Sequence, residues 1–509
     1  MDNLYNKESI RLIDAATIKY IVPTGYALMT SAAQSVLDVL LNRFKALPEL
    51  VIFCGQGNNA GDGYVLARLA LQKKIKVKVF SLVTKDKLTG DALKAYNDWS
   101  ALGEVALNWS INEINNADII IDAILGTGLN RKLDEKWNAL IKLINQSPAK
   151  IIAIDIPSGL DANTGNTWGE TIKADLSITF IAKKQGMYTA YARDYCGEII
   201  FCNLNVPDSL YQQHIATATL LNWKKLQQKI KPRLASSHKG NFGNVLIIGG
   251  NKSMPGAVKL AAMAALRSGA GLVKILTHYE HTLAIQSNYP ELIVIGLSAT
   301  ENNNLITDNT VDWADSIAIG PGLGTDEWAQ ILFNRVLAHK NICKKALVLD
   351  ADALNLLALT DSNQNKEQLN LKNSIKNAHR NTIITPHPGE AARLLNTTIK
   401  AIENNRYEMA IELQQYLNSS VILKGAGTLV TNNNHILVCP YGNSGMSTAG
   451  MGDCLTGIIV SLLAQGYDTS IASQLAVCLH AKAADLAAKD GQSGMIASDI
   501  LPLIRKLLA

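Results

Sequence analysis

Leu50-Val51-Ile52-Phe53-Cys54-Gly55-Gln56-Gly57-Asn58-Asn59-Ala60-Gly61-Asp62-Gly63 decides the fold of the first half. The unbroken apolar run reads as a strand buried on both faces. The glycines after it, and the helical pattern over Gly63–Lys73, predict a loop that presents free backbone N–H groups at a helix N-terminus, where phosphates bind. Working outward, a helix is expected over Tyr26–Phe44, and strand-like runs follow at Val77–Leu82, Asp118–Asp122, Ile151–Ile156, Leu176–Ile181 and Ile199–Cys202. A further helical pattern covers Asp134–Asn145. Buried strands alternating with helices predict a mostly parallel, doubly wound α/β sheet, with the ligand at the carboxyl ends of the strands.

A polar, basic stretch between Pro207 and Ser237 breaks this pattern and reads as the linker region. The expected organisation is a domain over residues 1–220, a linker over 221–235 and a domain over 236–509. The second domain has strand candidates at Asn244–Gly249, Leu272–Leu276, Ser316–Ile319, Leu347–Leu349, Thr382–Thr385 and Val421–Leu423, then a hairpin over Thr428–Val438. Ala-rich helices at Gly256–Ser268, Asp453–Ala464 and Ile471–Ala488 are expected to cover them. The triplets Asn302–Asn304 and Asn432–Asn434 read as loop tips.

Composition bounds the rest. A chain of 509 residues exceeds one hydrophobic core, and its 48% hydrophobic and 18% charged residues suit globular α/β layers. The formal net charge of +5 is too small to imply nucleic acid or a membrane surface. The seven cysteines show no metal-ligand spacing and imply a reducing compartment. No run reaches the roughly 18 apolar residues of a membrane span. With no basic, apolar leader at the start, the expected location is the cytoplasm.

In the first half, Asp122 and Asp155 each stand where apolar strand gives way to loop, in Ile121-Asp122-Ala123-Ile124-Leu125-Gly126-Thr127-Gly128 and Ile154-Asp155-Ile156-Pro157-Ser158-Gly159-Leu160-Asp161. An Asp there serves as base, cation ligand or cap. The second strand ends in Ser81-Leu82-Val83-Thr84 and lacks the acidic residue that would hold a ribose, which disfavours an ordinary nicotinamide dehydrogenase.

Gly57–Gly63, Gly126-Thr127-Gly128-Leu129 and Asp155–Asp161 together resemble the N-terminal domain of the bifunctional NAD(P)H-hydrate repair enzymes, over residues 1 to about 220. The resemblance implies a Rossmann-like domain that interconverts the R and S forms of NAD(P)H hydrate and binds K+. Substrate contacts would fall on Asn58, Asn59, Ala60, Gly61, Asp62, Gly126, Thr127, Gly128, Leu129, Asn130, Arg131, Lys132 and Asp155, and K+ on Asn59, Asp122 and Ser158. Asp155 would be the acid/base at the C6 hydroxyl. Related domains bind without catalysis, so a pure binding module is the alternative. Retention of Asp155 and of the asparagine-rich loop favours the enzyme.

In the second half, Ala449-Gly450-Met451-Gly452-Asp453 precedes an apolar helix, and Asp453 reads either as its cap or as a catalyst. Gly320-Pro321-Gly322-Leu323-Gly324, Thr385-Pro386-His387-Pro388-Gly389-Glu390 and Lys424-Gly425-Ala426-Gly427-Thr428 end further strands. Their combination resembles the ribokinase-like fold. With His238-Lys239-Gly240 and Gly249–Ala257 it is similar, more closely, to ADP-dependent NAD(P)H-hydrate dehydratase, over about 235 to 509.

This resemblance implies that Ala257, Gly322, Gly324, His387 and Asp453 touch the hydrate and that Lys424, Gly425, Ala426, Gly427, Thr428 and Gly452 hold the nucleotide. Asp453 would activate the C6 hydroxyl, and Mg2+ would ride on the ADP phosphates with Glu390 as an indirect partner. His387 alternatively shapes a turn. Asp350 and Asp352 line the cleft or cap a helix, and stay outside the catalytic set. The resemblance further implies a homo-oligomer whose partners are small molecules alone. The competing reading is an ATP-dependent ribokinase-like kinase with a non-catalytic N-terminal binding domain.

Overall fold

The computed structural model describes residues 2–44, 49–298, 304–362 and 381–509. The chain divides into two compact units, Met1–Thr219 and Leu220–Ala509. The stretch 221–235, expected to be a linker, contributes to the second unit. Leu221, Trp223 and Leu226 are buried in its core, the last two on the short helix Trp223–Gln227. Their neighbours Lys224 and Lys225 gave the stretch its polar look.

In the first unit, strands β1 (Leu50–Cys54), β2 (Val77–Ser81), β3 (Val105–Ala106), β4 (Ile119–Ala123), β5 (Lys150–Ile154), β6 (Leu176–Phe180) and β7 (Glu198–Cys202) form one parallel sheet in the order β3-β2-β1-β4-β5-β6-β7. Apolar clusters cover both faces, one around Val36, Leu66 and Ile121, the other around Phe53, Ile120 and Ile141. Both faces of β1 are therefore dry, which is why every residue of that strand is apolar.

The helix after β1 begins at Asn58 and runs to Gln72, five residues earlier than the glycines suggested. Those glycines serve packing. A Cβ on Gly61 would lie 2.6 Å from Met29 Sδ, and one on Gly63 would lie 2.7 Å from Ala123 Cβ and 2.8 Å from Cys54 Sγ. The helix lies against the sheet only because no side chain intervenes.

In the second unit, strands β8 (Asn244–Ile248), β9 (Leu272–His278), β10 (Ile293–Leu297), β11 (Ser316–Ile319), β12 (Ala346–Leu349), β13 (Thr382–Ile384), β14 (Ser420–Leu423), β15 (Leu429–Asn432) and β16 (His435–Val438) are ordered β10-β9-β8-β11-β12-β13-β14-β15-β16. All pairs are parallel up to β14. The last two strands are antiparallel, joined through Asn433 and Asn434 with φ of 48° and 63°, the left-handed pair of a tight hairpin. Asn433 and Asn434 thus form the expected loop tip, while Asn432 ends the strand and pairs with His435. Asn302 and Asn303 lie outside the described residues, and Asn304 opens the helix Asn304–Trp313.

The helix Met451–Ala464 is buried almost throughout and crosses the helix Pro255–Arg267 at Gly457, where a Cβ would come within 2.0 Å of the Ala261 carbonyl oxygen. That contact sets where Asp453, in the first turn of the helix, is held. Gly457→Val is expected to lower the unfolding free energy by about 2–3 kcal/mol, measured by chemical denaturation, because neither helix can retreat without opening the core.

Candidate functional site

In the first unit the carboxyl edge of the sheet opens on a cavity of about 730 Å³. Its wall carries Asn58, Asn59 and Asp62 from the helix start, Gly126, Thr127, Gly128, Leu129 and Asn130 from the loop after β4, and Asp155 after β5. The helix start has Gly57 at its cap with no side-chain bond, and Ala60 and Gly61 N–H donate to the Gly57 carbonyl, which leaves the N–H groups of Asn58 and Asn59 for a ligand. Ala60 and Gly61, expected at the ligand, are buried within that turn and do not line the cavity, because helical rotation points them into the body of the unit. Arg131 and Lys132 are exposed and also off the wall.

Asp155 adopts φ 70°, a left-handed conformation that turns its carboxylate back toward β6. There it accepts from the Lys184 ammonium and from Phe180 N–H at 3.3 Å. The Lys184 side chain is 1% exposed, and its Nζ also donates to the Phe180 carbonyl at 3.0 Å. A short parallel pairing of Tyr5 with Lys184 fixes the lysine backbone. Ile181, with φ 64°, lies between the two partners in sequence; a left-handed β-branched residue marks a backbone held against its preference.

Asp122 is fully buried at the end of β4. Its Oδ1 accepts from Ser158 Oγ at 2.6 Å and Ile124 N at 3.1 Å, and its Oδ2 from Ser158 N at 2.8 Å. Burial nevertheless pushes its pKa up to about 6, against those hydrogen bonds. Asn59 donates Nδ2 to the Leu125 carbonyl at 3.0 Å, while its buried Oδ1 has no hydrogen-bond partner. Asp62 is raised well above the carboxylate range by burial, with Asp155 and Asp14 adding and Lys184 opposing.

In the second unit the centre is Asp350, 1% exposed at the end of β12. It accepts from Thr385 Oγ1 at 2.8 Å, Lys424 Nζ at 2.8 Å and Thr456 Oγ1 at 2.7 Å. Burial would raise its pKa, but Lys424 and the hydroxyl donors outweigh that and hold it below the usual range. Lys424 Nζ also stands 3.7 Å from Glu390. A Cβ on Gly452 would lie 3.5 Å from that ammonium, in ordinary contact, so the lysine stands against the start of the helix that carries Asp453.

The cap of that helix is Gly450, with φ 88°, and Asp453 sits inside the first turn. Asp453 is therefore not the cap. Burial, then the negative charge of Asp350, pushes its pKa up to about 7, with Lys424 opposing.

His387 caps the helix Pro388–Leu394. Its Nδ1 accepts from Gly389 N–H at 2.9 Å and Glu390 N–H at 3.3 Å, which places the ring proton on Nε2, 3.2 Å from Glu390 Oε1. Glu390 closes the box by accepting from His387 N–H at 2.7 Å. Gly322 (φ 58°) lies against Ala257, where a Cβ would meet the alanine methyl at 3.1 Å, and Gly324 N–H donates to Asp352 Oδ2 at 2.8 Å.

Gly425, with φ 135°, turns the loop after β14 around Arg406, which is 1% exposed and donates to the Lys424 carbonyl at 3.2 Å. Gly427 (φ 67°) carries the loop on through Ala426 to Thr428, whose hydroxyl donates back to Gly425 O at 3.0 Å.

The comparisons fit these two sites. A family model described as NAD(P)H-hydrate dehydratase matches residues 245–506, and one described as YjeF-related protein N-terminus matches 25–186. The bifunctional NAD(P)H-hydrate repair enzyme Nnr of Coxiella burnetii is 38% identical over 511 residues and covers 100% of both chains. The chain belongs to the bifunctional NAD(P)H-hydrate repair enzyme family.

The Vibrio cholerae enzyme of that name is 40% identical, over 95% of this chain and 93% of its own, and that of Leishmania braziliensis 36%, over 94% and 88%. A ribokinase-like superfamily protein of Enterococcus faecalis superposes with a TM-score of 0.50 and 29% identity, over 58% of this chain and 96% of its own. The fold class expected from the sequence, a Rossmann-like unit followed by a ribokinase-like unit, holds.

Lys184, Asp14 and Thr456 are residues that sequence reasoning missed in this repair-enzyme chain, and Asp350, read only as a cleft-lining or capping residue, proves to be the centre of the second site. Lys184 left a signal, a lysine shortly after an apolar strand on the ligand edge; Thr456, inside an apolar helix, left none. Among the described residues no helix is long and apolar enough to cross a membrane.

Asp453 also sets a stability test. Its folded pKa of about 7 lies above the ordinary 3.8, so its contribution to stability is fully present below 3.8 and is lost as pH rises through about 7. Asp453→Asn is expected to leave the thermal midpoint unchanged at pH 4 and to raise stability on the order of 3 kcal/mol at pH 8. Equal midpoints for the two proteins at pH 8 would contradict this account of its burial.

Proposed function

We propose that the first unit epimerises the R and S forms of NADH or NADPH hydrate, and that the second dehydrates the S form at the expense of ADP, giving AMP and phosphate. The chain is an isomerase and a lyase in one, and it repairs damaged nicotinamide dinucleotides. The observation that carries the reading is Asp453. It is a carboxyl freed from capping, poised near neutral pH and set in the first helical turn beside Lys424.

At the second site Asp453 takes the proton of the C6 hydroxyl, and the oxygen attacks the terminal phosphorus of ADP as AMP leaves. The phosphate ester then departs as the ring nitrogen donates its lone pair. Loss of a C5 proton restores the dihydronicotinamide. The N–H groups at Gly450–Gly452 and the Lys424 ammonium face the charge that develops on phosphate, and Lys424–Thr428 with Gly452 hold the nucleotide. Ala257, Gly322, Gly324 and His387 hold the hydrate, His387 through a ring whose orientation Glu390 fixes. Among the described residues no three His, Cys, Asp or Glu side chains gather to bind a metal alone. Mg2+ would ride on the nucleotide phosphates, with Glu390 as an indirect partner, and would neutralise their charge.

At the first site Asp155 is the acid/base that helps the C6 hydroxyl leave and re-add, with Asn58–Asp62 and the loop Gly126–Asn130 around the substrate. The unpartnered Asn59 Oδ1, with Ser158 Oγ and the buried Asp122 carboxylate, makes an all-oxygen set that fits K+. A bound cation there would offset the burial of Asp122. A homo-oligomer in the cytoplasm completes the reading.

The test mixes the purified full chain with Mg2+, ADP and both hydrate epimers and follows the near-ultraviolet absorbance of restored dihydronicotinamide. Wild type is expected to convert both epimers. Asp155→Ala should convert the S form and then stall, and Asp453→Ala should lose about 100-fold or more throughout. Failure of absorbance to return with either ADP or ATP would reject the repair reading in favour of a small-molecule kinase. Withdrawing K+ is expected to slow R-form consumption while leaving the S-form rate unchanged.

A further inference from the structure

The cavity of the first unit holds more ionisable chemistry than Asp155 accounts for. The helix Lys7–Tyr20, which precedes the matched family segment, sends Asp14 to its wall. One carboxyl oxygen of Asp14, Oδ1, is sealed from solvent and has no hydrogen-bond partner. Its neighbours on the same helix are Ile10, Ile13 and Thr17, all buried, so the helix is anchored by apolar contacts on the face that also carries this acid. A carboxyl group placed there without a donor is costly to a fold and calls for a role.

The groups that face it are few. Lys184 and Asp155 act on it from the segments after β6 and β5, Asp62 from the helix after β1, and Tyr211 from the short helix Asp208–Gln212. Lys7 and Arg11, on its own helix, also line the cavity. The Lys184 ammonium is already engaged by Asp155 and the Phe180 carbonyl. The wall thus carries four carboxyl groups, Asp14, Asp62, Asp91 and Asp155; a buried lysine holds Asp155 in place, while no hydrogen bond supports Asp14 at its sealed Oδ1.

We infer that Asp14 is the second proton-carrying residue of this cavity, donating to the C6 hydroxyl of the hydrate as it leaves and accepting from water as it returns. The inference rests on the epimerase reading of the site. The C6–O bond breaks as the Asp14 proton passes to oxygen and the ring nitrogen lone pair forms the C6=N1 bond, releasing water. Water then adds to C6 from the opposite face, the lone pair returns to nitrogen, and the proton goes back to a carboxylate. No oxidant or co-reactant is needed.

Asp155 is held in place by Lys184, whereas Asp14 has no hydrogen-bond donor at its sealed oxygen. Burial pushes the Asp14 pKa up to about 6, with Lys184 opposing and Asp155 adding, so an appreciable fraction carries its proton near neutrality.

The experiment uses the full chain with ADP and Mg2+ and measures R-form consumption and S-form dehydration on the same preparation. Asp14→Asn is expected to cut kcat for the R form by about 100-fold with little change in KM, and to remove the limb of the pH profile near 6, while S-form dehydration stays within twofold. Asp14→Glu, which keeps an acid, should recover part of the rate, an outcome that packing loss alone would not give. R-form kinetics and a pH profile unchanged in Asp14→Asn, with Asp155→Asn inactive, overturn the inference and leave the site reading intact. Full R-form activity in both variants overturns the site reading itself.

Discussion

A buried carboxylate at the carboxyl end of a central parallel strand organises the ligand edge of each unit. In the first unit Asp122 ties the loop after β4 to the loop after β5 through Ser158, using both the hydroxyl and the backbone N–H. In the second, Asp350 ties β12 to β13 through Thr385, to β14 through Lys424 and to the apolar helix through Thr456. Parallel strands converge there with loops and few shared backbone bonds, so one acid that accepts several donors sets their spacing. Taking such a charge out of water is expensive unless it is compensated. The two units compensate differently: Asp350 has a lysine, while Asp122 has only neutral donors and is correspondingly less acidic.

The acid proposed for the second site is tuned from its anchor. Asp453 is made a weak acid by burial and by the charge of Asp350, and Lys424, bonded to the same Asp350, limits the effect. Asp155 is placed by backbone conformation, since a left-handed φ aims it at Lys184, and Ala351, just after Asp350, is also left-handed at φ 48°. Such residues cost on the order of 1–3 kcal/mol each and persist only where surrounding structure insists on them. Both lie at the carboxyl ends of strands, which puts the strain at the ligand edge and leaves the sheets regular.

Much of the architecture was legible. Buried strands such as Leu50–Cys54 and Ser316–Ile319 are bounded as read, because a strand dry on both faces shows as an unbroken apolar run. Among the strands that were missed, Val105–Ala106 and Ile293–Leu297 are edge strands with partly exposed residues, where the pattern is diluted, and Asn3–Tyr5, Lys183–Lys184 and Ala218–Leu220 are too short to show one. The glycines of Gly57–Gly63 were read as a loop, and the helix already starts at Asn58. Their purpose is visible only once Met29, Cys54 and Ala123 are known to press against them.

By itself the sequence determined the two-part α/β organisation, the strands whose ends carry ligand loops, and Asp155 and Asp453 as acids on those edges. Apolar runs, glycines and the polar residues that follow them are local signals, and local signals survive in one dimension. Tertiary structure alone decided how acidic those groups are and what holds them. Lys184 is distant from Asp155 in the chain, and Asp350, Lys424 and Thr456 come from three separate elements. Burial and charge proximity are properties of the assembled fold, and no spacing in the chain encodes them.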